Sequence, residues 1–469
     1  MNSSAIDELV QLTGNSLRFV DGEVRVLDPG VLRSRVESLA RESALGKGPR
    51  QSGARFLIRA AAAELGIFAS SIHELYLARG RGEVPPTFTV PAMNLRALSY
   101  HAACAVFRAA RGLDAGALIF EIARSEIGYT DQRPAEYASN VLAAAIREGY
   151  EGPVFIQGDH FQVSAKRYAS SPVEEVEAVK ALSLEAVQAG FFNIDVDTST
   201  LVDLSQPTIP RQQELNSTLS AEITRYIRSI EPEGVTVSVG GEIGEVGGQN
   251  STAEELRAYM DQYQESVAGV AGLSKISIQT GTSHGGVVMP DGSIARVSVD
   301  FDTLHRLSRV ARSEYGLAGA VQHGASTLPE EAFGKFADCE ACEVHLATNF
   351  QTMLYDRLPP DLKKEMFAYL DKNHAHERKP DWTDEQFYYK TQKQAIGPFK
   401  SELWNLGEED LHGITSAWED KFQQLFTLLR VADTRKYVRQ TVTSVPVMLT
   451  PAIFGASAAA GEDTSDLAD

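Results

Sequence analysis

The chain has little cysteine, tryptophan or methionine, no excess of positive charge and no long apolar run. Its 469 residues include 3 Cys, 3 Trp and 7 Met. Cys104, Cys339 and Cys342 are too few to build the disulfide framework of a secreted domain, so a reducing, cytoplasmic setting is expected. Cys339 and Cys342 form one C-x-x-C with no second pair. That reads as two small residues near a buried strand rather than a redox or zinc motif. Lys and Arg total 44 against 63 Asp and Glu, a formal net charge of −19. This balance argues against a nucleic-acid partner, while leaving room for a local basic pocket that takes a small anion. No uncharged apolar stretch reaches the roughly 18 residues of a spanning helix, so no membrane partner is expected. The opening MNSSAIDELVQ has neither a basic nor an apolar leader region and reads without a signal peptide.

What is present is an alternation. Short apolar, β-prone runs recur, each followed by a polar or Gly-rich loop and then by a segment of helical spacing. The runs are FTVPAMN, ALIFEIA, PVFIQGDH, FFNIDVDTST, VTVSVGGEIG, KISIQTGTSHGG, LAGAVQHGAST and CEVHLATN. Helices are predicted over 95–111, 135–148, 172–189, 212–229, 253–268 and 301–315, with a short one opened by Pro329. GYTDQRP, after the second run, reads as a loop. Eight such units predict an α/β fold, a (β/α)8 TIM barrel with its chemistry at the C-terminal ends of the strands.

The barrel is expected over 87–357, with a mostly helical N-terminal extension over 1–86 and a C-terminal helical extension over 358–454. In the first, SLRFVDGEVRVLD reads as a hairpin around Asp21-Gly22. Residues 29–44, 53–65 and 67–79 read as helices, and GKGPRQSG (46–53) as a loop. The tail over 455–469 is small and acidic and reads as disordered.

His160, His284 and His323 each follow a predicted strand. Loops at one barrel face converge, so three neutral imidazoles could meet around a catalytic zinc ion. Asp159 precedes His160. Adjacent strand residues point apart, so one would ligate metal while the other faces substrate as acid or base. Asp197 and Glu242 also close strands and could hold a second metal, a cation or a ligand histidine. Gly285 and Gly324 let backbone N–H groups approach a ligand, and Ser326 adds a hydroxyl, which suits a phosphate.

These residues fall in motifs. Pro91-Ala92-Met93-Asn94, Gln157-Gly158-Asp159-His160, Gly190-Phe191 running to Val196-Asp197-Thr198-Ser199, Glu242 to Gly248, Gly281 to Gly285, and His323-Gly324-Ala325-Ser326 occur in that order. The set resembles the class II, metal-dependent fructose-bisphosphate aldolase family. The resemblance implies zinc on His160, His284 and His323, with a second divalent or a monovalent cation tied to Asp197 and Glu242. It implies Asp159 facing the aldehyde. It implies Gly285, Gly324, Ser326, Thr348 and Asn94 around a ketose phosphate. A homo-oligomer, dimer or tetramer, is expected. There are departures. The family's first signature histidine is Gln157, its loop glutamate is Asn250, and its final N-[IV]-D-[ST]-D appears as His345-Leu346-Ala347-Thr348-Asn349. An amide cannot carry a proton near neutrality, so Glu245, in the Gly-rich loop, is the expected base. The stretch from Phe120 to Ala138 is similar to the accessory subunit of tagatose-bisphosphate aldolase. The expected function is therefore aldol cleavage of a ketose (bis)phosphate. A non-catalytic subunit and a sugar-phosphate epimerase are the alternatives.

Overall fold

The computed structural model describes every residue except 1–2, 21, 245–248, 282–288, 290–297, 326–327, 448–453, 455–465 and 468–469. The hairpin forms as expected. Strands β1 (Leu17–Val20) and β2 (Glu23–Val26) pair antiparallel with Val20 opposite Glu23. The two-residue turn ends on Gly22 at φ +86°, a conformation that favours glycine. Strand β3 (Ile67–Ser70) follows, and then the eight barrel strands. These are β4 (Val90–Asn94), β5 (Ile119–Ala123), β6 (Gly152–Gln162), β7 (Asn193–Asp197), β8 (Ser238–Glu242), β9 (Lys275–Ile278), β10 (Ala320–Gln322) and β11 (Glu343–Leu346). Each pairs in parallel with the next, and β11 returns to β4, so the sheet closes into a (β/α)8 barrel.

Seven of the eight predicted runs each contain one of these strands, and β6 extends beyond PVFIQGDH at both ends. The helices Pro172–Ala189 and Phe301–Tyr315 have the predicted bounds. Asp300 caps the second by accepting from Thr303 N, and Thr252 with Glu255 forms a capping box at Ala253–Val267.

Three local expectations are corrected. GKGPRQSG is not a loop: the helix Gly48–Glu64 starts inside it, with Pro49 in its first turn where a missing N–H costs nothing. GYTDQRP is helical at its start, because Arg124–Tyr129 continues straight from β5, with Glu126 accepting from Ala123 N. Residues 67–79 are not one helix. They divide into β3 and the helix His73–Gly80. Strand β3 adds to the edge of β6, and Asn193 holds the turn after it. The Asn193 amide accepts from Ile72 N at 2.8 Å and donates to Ser70 and Ile156 carbonyls. Tertiary pairing here overrides local helical spacing.

The N-terminal segment thereby closes the bottom of the barrel. His73–Gly80 carries Arg79, 1% exposed, to five backbone carbonyls, those of Pro86, Phe88, Ala318, Glu340 and Ala341. Buried donors facing carbonyls satisfy groups that strand ends would otherwise leave unpaired. The C-terminal segment carries the helices Pro360–Asn373, Asp384–Thr391, Lys400–Trp404, Glu408–Leu428 and Arg435–Thr441. Its longest helix, Glu408–Leu428, lies against the barrel wall, where Trp418 Nε1 donates to the Phe350 carbonyl at 3.0 Å. Lys400 pairs with buried Glu136 at 2.8 Å. Cys104, Cys339 and Cys342 are all free thiols.

Candidate metal centre

Side chains on one face of a strand recur every two residues, so a barrel interior fills in layers. Two polar layers follow from this spacing. The lower holds Glu121, Gln157, Asp195, Lys275 and Glu343. The upper holds Asp197, Ser277 and His345, each two residues further along its strand, together with Glu242, Asp159, His160 and His323. All of these are 5% exposed or less.

The lower layer is organised by one cation. Lys275 Nζ donates to Gln157 Oε1 at 2.8 Å, Asp195 Oδ2 at 3.0 Å and Glu343 Oε1 at 2.5 Å. Gly240 makes room for this, since a Cβ there would lie 2.3 Å from Asp195 Oδ1 and 2.8 Å from Lys275 Cε. Burial opposes the Lys275 charge, but Asp195 and Glu343 outweigh it and raise the ammonium pKa. Burial likewise opposes ionisation of Glu343, but Lys275 and His345 outweigh it and bring its carboxyl down to about 2. Tyr76, from the N-terminal segment, closes the layer with a hydrogen bond to Glu343 Oε2.

The upper layer depends on an irregularity in β6. Between Gly158 and Phe161 the strand contains one more residue than its partner β7. A bulge of this kind re-aims side chains. His160 takes φ +39°, a strained value for a residue with a Cβ, of order 1–3 kcal/mol. Gly158 permits the bulge: a Cβ there would lie 2.4 Å from the Phe161 ring. The expectation that Asp159 and His160 point apart is corrected by this bulge. Asp159 Oδ1 lies 3.8 Å from His160 Nε2.

His160 and His323 meet, with His160 Nε2 2.9 Å from His323 Nδ1. On its other side, His160 Nδ1 faces Asp197 Oδ2 at 3.3 Å and Glu242 Oε2 at 3.4 Å. Asp197 Oδ2 also accepts from Gln162 at 2.6 Å, and its Oδ1 accepts from Ser199 N and Oγ at 2.9 and 2.7 Å. Burial would raise the Asp197 carboxyl, but the donors from His160, Gln162 and Ser199 hold it low. Glu242 is pushed well up by burial and by Asp197. Asp197 and Glu242 can orient the His160 ring or hold a cation with it, since the three offer ligand atoms within 4.8 Å of one another. A carboxylate on Nδ1 fixes the proton there and leaves Nε2 as the bare nitrogen. His323 Nε2 contacts Ser277 Oγ at 2.9 Å, which leaves its Nδ1 aimed at the same space. Asp159, His160 and His323 offer ligand atoms within 4.8 Å of one another. Two imidazole nitrogens and a carboxylate oxygen are a donor set that suits a divalent ion of the zinc class.

Asn94 donates from Nδ2 to Asp159 Oδ2 at 3.0 Å and to Glu126 Oε2 at 2.8 Å, so it orients Asp159. Gly324, beside His323, has φ +68°. Thr348 opens the helix Thr348–Tyr355 just after β11. His284, Gly285, Ser326 and Glu245 lie outside the described residues.

His345 carried no assignment in the sequence, yet its ring centroid lies 4.1 Å from that of His323. Glu121, Asp195, Lys275 and Glu343 also carried none. Their signal was present: each is a charged residue inside a short apolar strand, as in IFEIA, NIDVD, KISI and EVHL. A charge in such a run needs an interior partner.

A family model described as fructose-bisphosphate aldolase class-II matches residues 86–402. No curated protein matches the chain. Among solved structures, the chain is similar to a fructuronate-tagaturonate epimerase from Cohnella laeviribosi. The TM-score is 0.54 at 12% identity, covering 89% of this chain and 90% of that one. A probable tagatose 6 phosphate kinase from Sinorhizobium meliloti 1021 gives a TM-score of 0.50 at 15% identity, covering 78% and 96%. A fructose-bisphosphate aldolase from Campylobacter jejuni gives 0.47 at 16% identity, covering 78% and 97%. At these identities the first two likenesses bear on the fold alone.

Proposed function

Because this chain belongs to the class II fructose-bisphosphate aldolase family, we propose that it is a zinc-dependent enzyme of reversible aldol cleavage. The substrate class is a ketose phosphate. The observation that carries the reading is the buried His160–His323 pair beside Asp159 at the strand ends. His160 and His323 are the proposed ligands, joined by His284. When bound, a zinc-class ion supplies Lewis-acid polarisation of a carbonyl oxygen.

The chain's own residues do the rest. Asp197 and Glu242 hold the His160 ring in one tautomer. Asp159 exchanges a proton with the aldehyde-derived oxygen. Burial would raise its carboxyl, but His160 and His345 outweigh that and hold it well below the ordinary carboxylate range. It therefore rests as a base, steadied by Asn94. Glu245 is the proposed base at carbon. Gly324 and Thr348, with Gly285 and Ser326, are the proposed phosphate contacts. Backbone N–H groups at a helix start, such as that of Thr348–Tyr355, favour an anion.

A second reading is epimerisation next to a carbonyl. It is favoured by His345 lying 3.1 Å from Asp159, two proton-carrying groups side by side. One experiment addresses both. The zinc-loaded protein is incubated in D2O with a panel of ketose phosphates, and the products are analysed by mass spectrometry. Release of dihydroxyacetone phosphate supports the aldolase. Deuterated epimer without cleavage supports the second reading, and no change in any substrate rejects both.

A further inference from the structure

Beside the His160–His323 pair lies another convergence of ligand atoms, from Glu121, Asp159 and His345. They fall within 4.8 Å of one another, and all three residues are buried. His345 shows what is unusual there. Its Nε2 faces Glu343 Oε1 at 2.7 Å and Asp195 Oδ2 at 3.6 Å. Glu343 Oε1 already accepts from Lys275 and Gln157, so it meets that nitrogen as an acceptor and the nitrogen carries the proton. Its Nδ1 then faces two more carboxyl oxygens, Asp159 Oδ1 at 3.1 Å and Glu121 Oε1 at 3.2 Å. A bare nitrogen would aim its lone pair at both. A second ring proton would align with Asp159 alone, and Glu121 Oε1 would remain without a hydrogen bond in a residue with no exposed surface.

The neighbouring donors are already in use. Gln157 Nε2 donates to Glu121 Oε2 at 2.8 Å and Glu343 Oε1 at 3.0 Å. Lys275 directs its three hydrogens to Gln157, Asp195 and Glu343. Asn94 Nδ2 serves Glu126 and Asp159. A single proton is all that the chain can place between these buried oxygen and nitrogen lone pairs, and such a convergence is the setting for a cation that displaces it.

We propose that Glu121 Oε1, Asp159 Oδ1 and His345 Nδ1 form a second divalent-metal site, beside the one on His160 and His323. The donors, one imidazole and two carboxylates, suit a zinc- or manganese-class ion. The support behind the ligands is built: Glu343 holds the far side of the His345 ring, and Lys275 holds Glu343. A carboxylate behind a ligand imidazole fixes the ring and raises its basicity. The site deepens the metal-dependent reading above, on which only its effect on turnover rests. An ion on Asp159 Oδ1 occupies the group assigned to proton exchange, so excess metal should inhibit.

The test is a count. Metal-stripped protein is dialysed to equilibrium against Mn2+, and bound Mn is measured per chain. Wild type is expected to hold two ions, Glu121→Gln and His323→Ala one each, and the double variant none. Circular dichroism confirms that each variant is folded; the wild-type count stands even where a variant is not. A wild-type count of one overturns the proposal and means that a proton closes the space. Two ions retained by folded Glu121→Gln overturn it as well. In turnover assays, excess Mn2+ should slow wild type at least about tenfold and leave Glu121→Gln unaffected by the excess. Two ions without ketose turnover would reject the function proposed above and keep this site. One ion in an active enzyme would do the reverse.

Discussion

The two polar layers inside the barrel use similar residue types, two positions apart on the same strands, and differ in how their charges are closed. In the lower layer a fixed cation, Lys275, sits among Gln157, Asp195 and Glu343, with Tyr76 and Arg79 sealing it from below. In the upper layer no lysine or arginine reaches the imidazoles among the described contacts. His160 and His345 are flanked instead by Asp159, Asp197, Glu242 and Glu121. The difference separates a layer closed by the chain's own cation from one in which imidazoles and carboxylates face one another. A buried carboxylate needs a partner; below, the chain supplies it, and above, the chain supplies converging lone pairs.

The comparison can be broken most severely from below. Lys275→Met should remove about 3–5 kcal/mol of stability, because Asp195 and Glu343 would remain buried without their cation. Urea unfolding measures this, and a loss under about 1 kcal/mol would mean that Lys275 does not close the lower layer. From above, His323→Ala should leave the fold standing and lower metal-dependent turnover by about 10²-fold or more. Ser277→Ala, behind His323 Nε2, should cost about tenfold, as removal of a group supporting a ligand does. Bound zinc and kcat measured together would separate these two variants.

The layers are joined by the β6 bulge. Gly158→Ala places a methyl 2.4 Å from Phe161, and overpacking of this kind costs about 1–3 kcal/mol. If the bulge relaxes, Asp159 and His160 separate, so a spectroscopic probe such as Co2+ absorption should change along with the melting temperature. An unchanged Co2+ spectrum would show that the glycine is not what positions the pair.

The gentlest perturbation is a change of pH, which alters no side chain. Burial is the largest influence on Glu121 and lifts its carboxyl to about 8, against ordinary values near 4.5. A carboxyl raised on folding stabilises the fold fully below the unfolded pKa, and that contribution is lost as pH rises through the folded one. Metal-free protein should therefore lose stability between about pH 4.5 and 8, by at most about 1.4 kcal/mol per pH unit for one proton. Glu121→Gln should flatten that slope. Parallel slopes in the two proteins would place the proton elsewhere in the layer.

Much of this was legible in advance. Apolar runs with helical spacing between them require strands that alternate with helices, and the parallel pairing follows because each helix crosses back over the sheet. The position of His160 and His323 at strand ends was likewise visible, since their motifs sit where the apolar runs stop. The N-terminal segment misled, because residues 67–79 have helical spacing, yet the free edge of β6 offered hydrogen bonds that the chain took as β3. Asp159 and His160 misled for a related reason: period two holds along a regular strand, and the extra residue between Gly158 and Phe161 is set by packing against β7.

The sequence by itself determined the barrel, the family and the strand ends from which ligands come, because periodicity and motif order are local properties of the chain. Only the tertiary structure decided which polar residues share a layer. Lys275, Glu121, Asp195 and Glu343 are 68 or more residues apart from one another in several of their contacts, as Lys275 is from Glu343. Barrel closure alone brings them to one level. It also decided that His345, which the sequence left unassigned, stands between Glu121, Asp159 and Glu343. Side-chain register across a closed sheet depends on every strand at once, and no single stretch of the sequence contains it.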